Sequence, residues 1–152
     1  MDALSRLVAM EEIRDLIARY STTYDDHDWE GFGELWTDDA AFAVDGVAFE
    51  GRTRMLEFLT TCLPDDYTGK HICSNTQIVL AEDGQSATAL TDVLWVAQNF
   101  ENSIVGRYHD TFRKHEDRWL FSRREERTVP FKPGAPPYSE AALAVSGATM
   151  RA

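Results

Sequence analysis

The chain has 152 residues, 43% of them hydrophobic, and carries 15 Lys and Arg against 26 Asp and Glu, a formal net charge of −11. These values describe one soluble globular domain, and a chain of this length buries roughly 70% of its unfolded surface, enough for a core with a ligand cavity. The acidic balance and the absence of a long basic run argue against nucleic acid and anionic membranes as partners.

The amino-terminal segment carries no export-signal pattern, because Glu11, Glu12 and Asp15 interrupt its apolar residues. No apolar run approaches the roughly 18 residues that a membrane helix needs. The two cysteines, Cys62 and Cys73, are expected to be reduced, and neither belongs to a metal-binding pair. We therefore expect a cytoplasmic protein.

The first half of the chain is typical of helices. Apolar residues recur at helical spacing from Leu4 to Tyr24 and predict an amphipathic helix. Asp28 then stands at the N-cap position of a short second helix that we expect to end at residues 37–39. The apolar residues of this second helix follow a spacing of three and four: Trp29, Phe32, Leu35 and Trp36.

Residues 40–51 predict two short strands around a turn at Asp45 and Gly46, and residues 51–63 predict a third helix that Pro64 stops. After Pro64, alternation and β-branched content predict four strands with separators of hairpin length, and hence an antiparallel meander. The strands are predicted over residues 71–80, 87–100, 104–115 and 119–131. Helices followed by hairpins indicate an α+β domain over residues 1–131, and residues 132–152 form a Pro- and Ala-rich arm.

The order of these elements, together with four stretches of sequence, resembles the SnoaL-like and scytalone dehydratase-like branch of the nuclear transport factor 2-like superfamily. The stretches are EEIRDLIARY (11–20), TYDDHDWEGFGELWTDDAAF (23–42), KHICSNTQI (70–78) and GRYHDTFRKHEDRWLFSRR (106–124). The resemblance implies a cone, in which the amino-terminal helices pack on a strongly curved mixed or antiparallel sheet that encloses a pocket. It also implies a homo-oligomer, a dimer or a trimer.

In this family an Asp at the end of the first helix orients a His on the first long strand, and the matching positions here are Asp25 and His71. The resemblance further implies a helper tyrosine, which matches Tyr24 in one group of relatives and Tyr20 in another. The pattern also has departures. Scytalone dehydratases carry a second pocket histidine on the next strand, which residues 87–100 lack, and their substrate-facing Ser and Asn are replaced in the stretch 107–109.

The chemistry of the two matched positions supports a catalytic interpretation. Histidine exchanges protons near neutral pH, and a buried carboxylate on one ring nitrogen fixes the tautomer and stabilises the imidazolium. The alternative is that Asp25 caps the helix and His71 is a satisfied core residue. Asp26 is the competing carboxylate, and a helical turn of about 100° per residue separates its direction from that of Asp25.

Further candidates come from side chains that could line the pocket. Arg107 and His109 share one face of their strand, which is either a solvated face or the pocket wall, with His109 as a second acid/base group. Trp36 and Trp95 are either core residues or a ligand platform. Most of the charged residues of the last strand are expected to form solvated cross-strand pairs: Arg123, Arg124, Glu125, Glu126 and Arg127.

We therefore predict a lyase or isomerase, dehydratase-like and free of cofactor and metal, that acts on a small apolar cyclic carbonyl or hydroxy compound. His71 would abstract an activated proton and return it, in a dehydration to a departing hydroxyl. Asp25 would orient the ring, and Tyr24 or Tyr20 would hydrogen-bond the developing oxyanion. The alternatives are a non-catalytic ligand-binding or scaffolding module, similar to dioxygenase small subunits, and a polyketide cyclase that uses other residues.

Overall fold

The computed structural model describes residues 1–62, 68–98, 100 and 103–129. Within these ranges the chain forms three helices and six strands. In chain order they are α1 (Ala3–Asp25), α2 (Trp29–Gly33), β1 (Trp36–Val44), β2 (Val47–Glu50), α3 (Arg52–Thr61), β3 (Gly69–Leu80), β4 (Ser86–Ala97), β5 (Ser103–His115) and β6 (Arg118–Thr128). The predicted arm at 132–152 and the helix stop at Pro64 lie outside the described residues.

The six strands form one curled, unclosed mixed sheet in the order β2-β1-β6-β5-β4-β3. Strands β3 to β6 pair as the predicted antiparallel meander, whereas β1 pairs in parallel with β6. Irregular pairing near residues 74–77 of β3 and at Ser122 of β6 marks places where an extra residue bends a strand. The prediction of an α+β domain with a curved mixed or antiparallel sheet is confirmed.

Helix α1 supplies the layer that covers the inner face of the sheet. Its N-cap, Asp2, accepts a hydrogen bond of 2.8 Å from the Ser5 backbone N–H, which satisfies one of the free amides of the first turn. One face of the helix is buried and lies against β3 and β6. This face carries Ala9, Ile13, Leu16, Ile17, Tyr20, Ser21 and Tyr24. The amphipathic pattern therefore places both candidate tyrosines toward the sheet.

The second helix is shorter than its sequence pattern predicts. It ends at Gly33, and Trp36 begins a strand, so residues 37–39 lie in β1 rather than at the end of a helix. The physical reason is tertiary pairing with β6: the Phe121 amide donates to the Leu35 carbonyl at 2.9 Å, and Trp36 pairs with Phe121. Backbone pairing in the sheet overrides the helical spacing of the apolar side chains.

The predicted turn between the first two strands is confirmed. Asp45 and Gly46 both have positive φ, 45° and 89°, and Val44 pairs with Val47, which is a two-residue hairpin with a primed turn. The Asp45 carboxylate accepts hydrogen bonds from the Thr128 amide at 2.9 Å and the Thr128 hydroxyl at 2.7 Å. The turn therefore anchors the end of β6. Strands β4 and β6 end at Ala97 and Thr128, earlier than predicted.

No helix in the described ranges is both long enough and apolar enough to cross a bilayer.

Candidate active site

A cavity of about 260 Å³ lies between helices α1 and α3 and the inner face of the sheet. Most of its lining is aromatic or aliphatic. The aromatic residues are Tyr20, Tyr24, Phe42, Phe58, Trp95 and Tyr108, and the other polar residues are Cys62, His71, Glu126 and Thr128. A concave, largely apolar site with a few polar groups is the usual form of a small-molecule site.

Asp25 and His71 meet at one wall of this cavity. Asp25 is the last residue of α1 and His71 lies near the start of β3, and their side chains are 4% and 8% exposed. The Asp25 Oδ1 atom lies 2.6 Å from His71 Nδ1, and Asp25 Oδ2 accepts the His71 backbone N–H at 2.9 Å. The two carboxylate oxygens of Asp25 therefore both bind His71, one at the ring and one at the backbone. The Nε2 atom of the ring has no partner among the described residues.

The neighbouring carboxylate does not compete for this position. Asp26 is exposed, and its Oδ1 atom pairs with Lys70 Nζ at 3.1 Å. The end of α1 thus directs two consecutive acidic side chains to different partners, one buried and one in solvent.

Both candidate tyrosines pack against the His71 ring. The ring centroids of Tyr20 and Tyr24 lie 5.9 and 5.3 Å from the His71 centroid, with edge-on geometry. The Tyr24 hydroxyl donates to the Leu59 carbonyl at 2.9 Å and lies 3.3 Å from Cys62 Sγ. Burial raises the pKa of both tyrosine hydroxyls above the ordinary value, so both keep their protons at neutral pH.

The sequence interpretation of Arg124 is wrong. This residue is fully buried and makes a bidentate ion pair with Asp110, in which Arg124 Nε and Nη2 each lie 2.8 Å from a carboxylate oxygen. Its guanidinium carbon lies 3.9 Å from the Tyr20 ring centroid and 3.8 Å from that of Tyr108. Arg123 and Arg127 do form exposed pairs, with Glu50 and Glu125. Alternation in β6 puts residue 124 on the inner face, and the cross-strand partner Asp110 neutralises it.

Glu126 also departs from the expectation of a solvated pair. It lies two residues after Arg124, hence on the same inner face of β6, and it lines the cavity. Burial raises the pKa of the Glu126 carboxyl, the nearby Arg124 charge opposes this shift, and Asp45 adds to it. The alternation of β6 carries the signal for this position, but without the register the inner and outer faces could not be assigned.

Two candidates for the pocket wall lie on the other side of the sheet. In β5 the buried residues alternate over Gly106, Tyr108, Asp110 and Phe112, so Arg107 and His109 face outward. Arg107 Nε donates to Asp92 Oδ1 at 2.7 Å on this outer face. The expectation that Arg107 and His109 line the pocket is therefore wrong, because the strand presents the opposite set of alternate residues to the cavity.

Of the two tryptophan candidates, one lines the cavity and the other lies in the core. Trp95 pairs with His71 across β3 and β4 and lines the cavity. Trp36 is 1% exposed and packs among Tyr20, Phe32 and Phe121 in the core, away from the cavity lining. Trp36 therefore supports the site from behind through Tyr20. Across the described part of the chain, no three His, Cys, Asp or Glu side chains are grouped to hold a metal ion.

Comparisons with known proteins agree with this architecture. The family model of the SnoaL-like domain matches residues 5–125. No functionally curated protein matches the chain.

Solved structures share the fold over most of their length. A nuclear transport factor 2-like protein with a cystatin-like fold from Novosphingobium aromaticivorans is 29% identical with a TM-score of 0.72, over 93% of this chain and 91% of that chain. A candidate scytalone dehydratase from the same species is 24% identical with a TM-score of 0.72, over 85% and 89% of the two chains. A hexachlorocyclohexane dehydrochlorinase of LinA type 3 from Novosphingobium barchaimii is 21% identical with a TM-score of 0.73, over 90% and 100%.

At these identities the last two structures are evidence of the fold alone. The family model, in contrast, spans most of the chain and confirms the resemblance inferred from the sequence. The chain belongs to the SnoaL-like domain family.

Proposed function

We propose that the protein is a lyase that removes a proton activated by a neighbouring carbonyl group and expels a β-substituent from a small cyclic substrate, without a cofactor. The observation that carries this proposal is the contact between Asp25 and His71 at the wall of an apolar cavity. His71 acts as the general base and Asp25 as the group that orients it. Isomerisation uses the same first step and differs in where the proton returns.

The hydrogen bonds of the Asp25 carboxylate support the assignment of His71 as the base. An acceptor at Nδ1 requires a proton on that nitrogen, which leaves the lone pair on Nε2 for the substrate. When Nε2 takes a proton, the ring becomes cationic and the carboxylate 2.6 Å away stabilises it. The hydrogen bond from the His71 backbone N–H to the same carboxylate restrains the ring before the substrate binds.

The oxyanion donor is better assigned to Tyr20 than to Tyr24. Tyr24 already donates its hydroxyl proton to the Leu59 carbonyl. Tyr20 lies against both His71 and the Arg124 guanidinium, whose positive charge opposes the rise in the Tyr20 pKa that burial causes. A cation on the ring strengthens the hydroxyl as a donor to a developing negative charge.

The cavity favours an apolar ring-shaped substrate. Its volume of about 260 Å³ and its aromatic walls suit a compact ring, and exclusion of water strengthens the charge interactions of the dyad. Structural neighbours of this chain include a candidate scytalone dehydratase and a dehydrochlorinase, and both names describe eliminations.

The test uses 3-hydroxycyclohexanone and 3-chlorocyclohexanone as probes and follows the formation of cyclohex-2-enone above the uncatalysed rate. His71→Gln is expected to lower kcat/KM by about 10² to 10⁴, the usual contribution of a general base. His115→Gln is the matched control, since His115 is exposed at the end of β5, and it should behave as the wild type. The absence of enone formation by the wild type, or full activity of His71→Gln, would contradict the proposal.

A further inference from the structure

We propose that Glu126 is a second proton-transferring residue of this site, one that protonates a departing hydroxyl group, so that the preferred substrates are β-hydroxy carbonyl compounds. The inference rests on the proposed function and deepens it, because it selects dehydration among the eliminations that the dyad alone could support.

The sheet places Glu126 and His71 on different walls of one cavity. Glu126 lies on β6 and His71 on β3, with β5 and β4 between them in the sheet, and both residues line the cavity. Three strand spacings correspond to about 14 Å along a flat sheet. The curl of the sheet wraps this span around the cavity, so a bound ring lies between a base on one wall and a carboxyl group on the other.

The Glu126 carboxyl has no committed partner in the described part of the chain. Arg124, the nearest cation, is held by Asp110, and the Asp45 carboxylate is held by Thr128. Burial and, to a smaller extent, the charge of Glu126 raise the pKa of the Tyr20, Tyr24 and Tyr108 hydroxyls, so these three groups are uncharged at neutral pH. The Arg124 charge only partly offsets the effect of burial on Glu126, and the carboxyl keeps its proton to a higher pH than one in water.

In the proposed reaction His71 accepts a proton at Nε2 and Glu126 donates one from its carboxyl. Burial, which raises the pKa of the Glu126 carboxyl, favours the protonated form that this role needs.

In the proposed dehydration, Nε2 of His71 takes the proton from the carbon next to the carbonyl, and the C–H electrons become the new C=C bond. The C–O bond at the β-carbon breaks, its electron pair stays on oxygen, and the Glu126 proton converts the leaving hydroxyl into water. His71 then releases its proton to solvent and Glu126 regains one from solvent, which restores the starting state.

A difference between leaving groups isolates the role of Glu126. Hydroxide is a poor leaving group and needs a proton, whereas chloride departs as the anion. Glu126→Gln is therefore expected to lower the rate of enone formation from 3-hydroxycyclohexanone relative to that from 3-chlorocyclohexanone, with a change in the ratio on the order of 10². The matched control is Glu125→Gln, whose carboxylate is bound by Arg127 on the outer face and which should keep the wild-type ratio.

The pH profile gives a second readout that a structural role would not move. For the hydroxyl probe, kcat/KM of the wild type should fall on the alkaline side as Glu126 loses its proton, and this limb should be missing for the chloride probe. Equal slowing of both probes by Glu126→Gln, or no slowing of either, would overturn the inference while leaving the dyad intact. If the wild type eliminates neither probe, the proposed function itself fails, and this inference fails with it.

Discussion

At the scale of single residues, the site depends on how a few buried polar groups are paired. Asp25 uses both oxygens on His71, Tyr24 donates to a helix carbonyl, and Arg124 is matched by Asp110. Buried polar groups need partners, and a group whose partner is absent is costly unless a ligand supplies it. Groups that keep a free donor or acceptor toward the cavity are therefore the ones available for chemistry.

Replacement of the two tyrosines separates the helper from the structural residue. We expect Tyr20→Phe to lower kcat for the probe ketones by more than tenfold, because it removes the oxyanion donor. Tyr24→Phe should instead lower the free energy of unfolding by about 1 kcal/mol, because its hydroxyl holds the Leu59 carbonyl. Steady-state kinetics and urea denaturation of both variants measure the two effects. A larger loss of kcat in Tyr24→Phe would reverse the assignment.

The buried ion pair makes a stability prediction. Asp110→Asn leaves the Arg124 guanidinium uncompensated in the core, and we expect a loss of about 3 to 5 kcal/mol in the free energy of unfolding. Glu125→Gln removes a carboxylate from Arg127 at the surface and should remain close to the wild type. Urea denaturation compares them. A loss in Asp110→Asn as small as that in Glu125→Gln would show that Asp110 and Arg124 do not form this ion pair in solution.

Sequence patterns identified some residues of the site and not others, because they do not reveal which face of a strand points into the cavity. The resemblance brought out Asp25 and His71 because both belong to short, ordered stretches. For Arg107 and His109 the sequence leaves the solvated face and the pocket wall open, since a shift of one residue exchanges the two faces of a strand. Arg124 and Glu126 were missed for the same reason, and because charged residues on a strand are usually solvated.

At the scale of elements, the meeting of α1 with β3 builds the site. The helix ends at Asp25, and β3 carries His71 at the position where the helix end reaches the sheet. Periodicity was sufficient to predict α1, the meander and the turn at Asp45 and Gly46. It failed at Trp36, where the parallel pairing with β6 is a long-range contact that local spacing does not reveal.

The short helix α2 supports both tyrosines from behind. Phe32 is fully buried, and its ring centroid lies 5.1 Å from that of Tyr20 and 5.5 Å from that of Tyr24. Asp28 caps this helix by accepting the Gly31 amide at 3.0 Å. We expect Asp28→Ala to lower the free energy of unfolding by about 1 kcal/mol and Asp28→Asn, which keeps an acceptor, to lower it less. Urea denaturation checks this order, and equal losses would exclude the cap as the cause.

At the scale of the whole molecule, the polar group that suits the cavity to a reaction also lowers the stability of the fold. A carboxyl group in an apolar site weakens the fold once it ionises, and such groups persist where they serve a reaction. The predicted homo-oligomer also belongs to this scale and stays a prediction, which sedimentation equilibrium of the full chain would check.

The pH dependence of stability follows from Glu126. Because folding raises the pKa of Glu126, the folded protein binds this proton more tightly than the unfolded chain does. Stability therefore falls as the pH rises from the ordinary range of a Glu through the raised value. We expect Glu126→Gln to gain stability relative to the wild type across this window and to match it at lower pH, where both states are protonated.

The control for this prediction is a carboxyl group whose pKa shifts in the opposite direction. Arg127 lowers the pKa of Glu125, so Glu125→Gln should show no gain at neutral pH. Urea denaturation at a series of pH values gives both curves. A constant difference between Glu126→Gln and the wild type at every pH would mean that Glu126 is solvated in the folded protein.

The ¹⁵N chemical shifts of the His71 ring, assigned with His71→Gln, show whether Asp25 prepares His71 as a base. We expect the neutral ring to carry its proton on Nδ1 and to have a bare Nε2, and we expect Asp25→Asn, but not Asp26→Asn, to abolish this preference. A neutral ring protonated on Nε2 in the wild type would exclude His71 as the base, because the nitrogen facing the substrate would then have no lone pair to accept a proton.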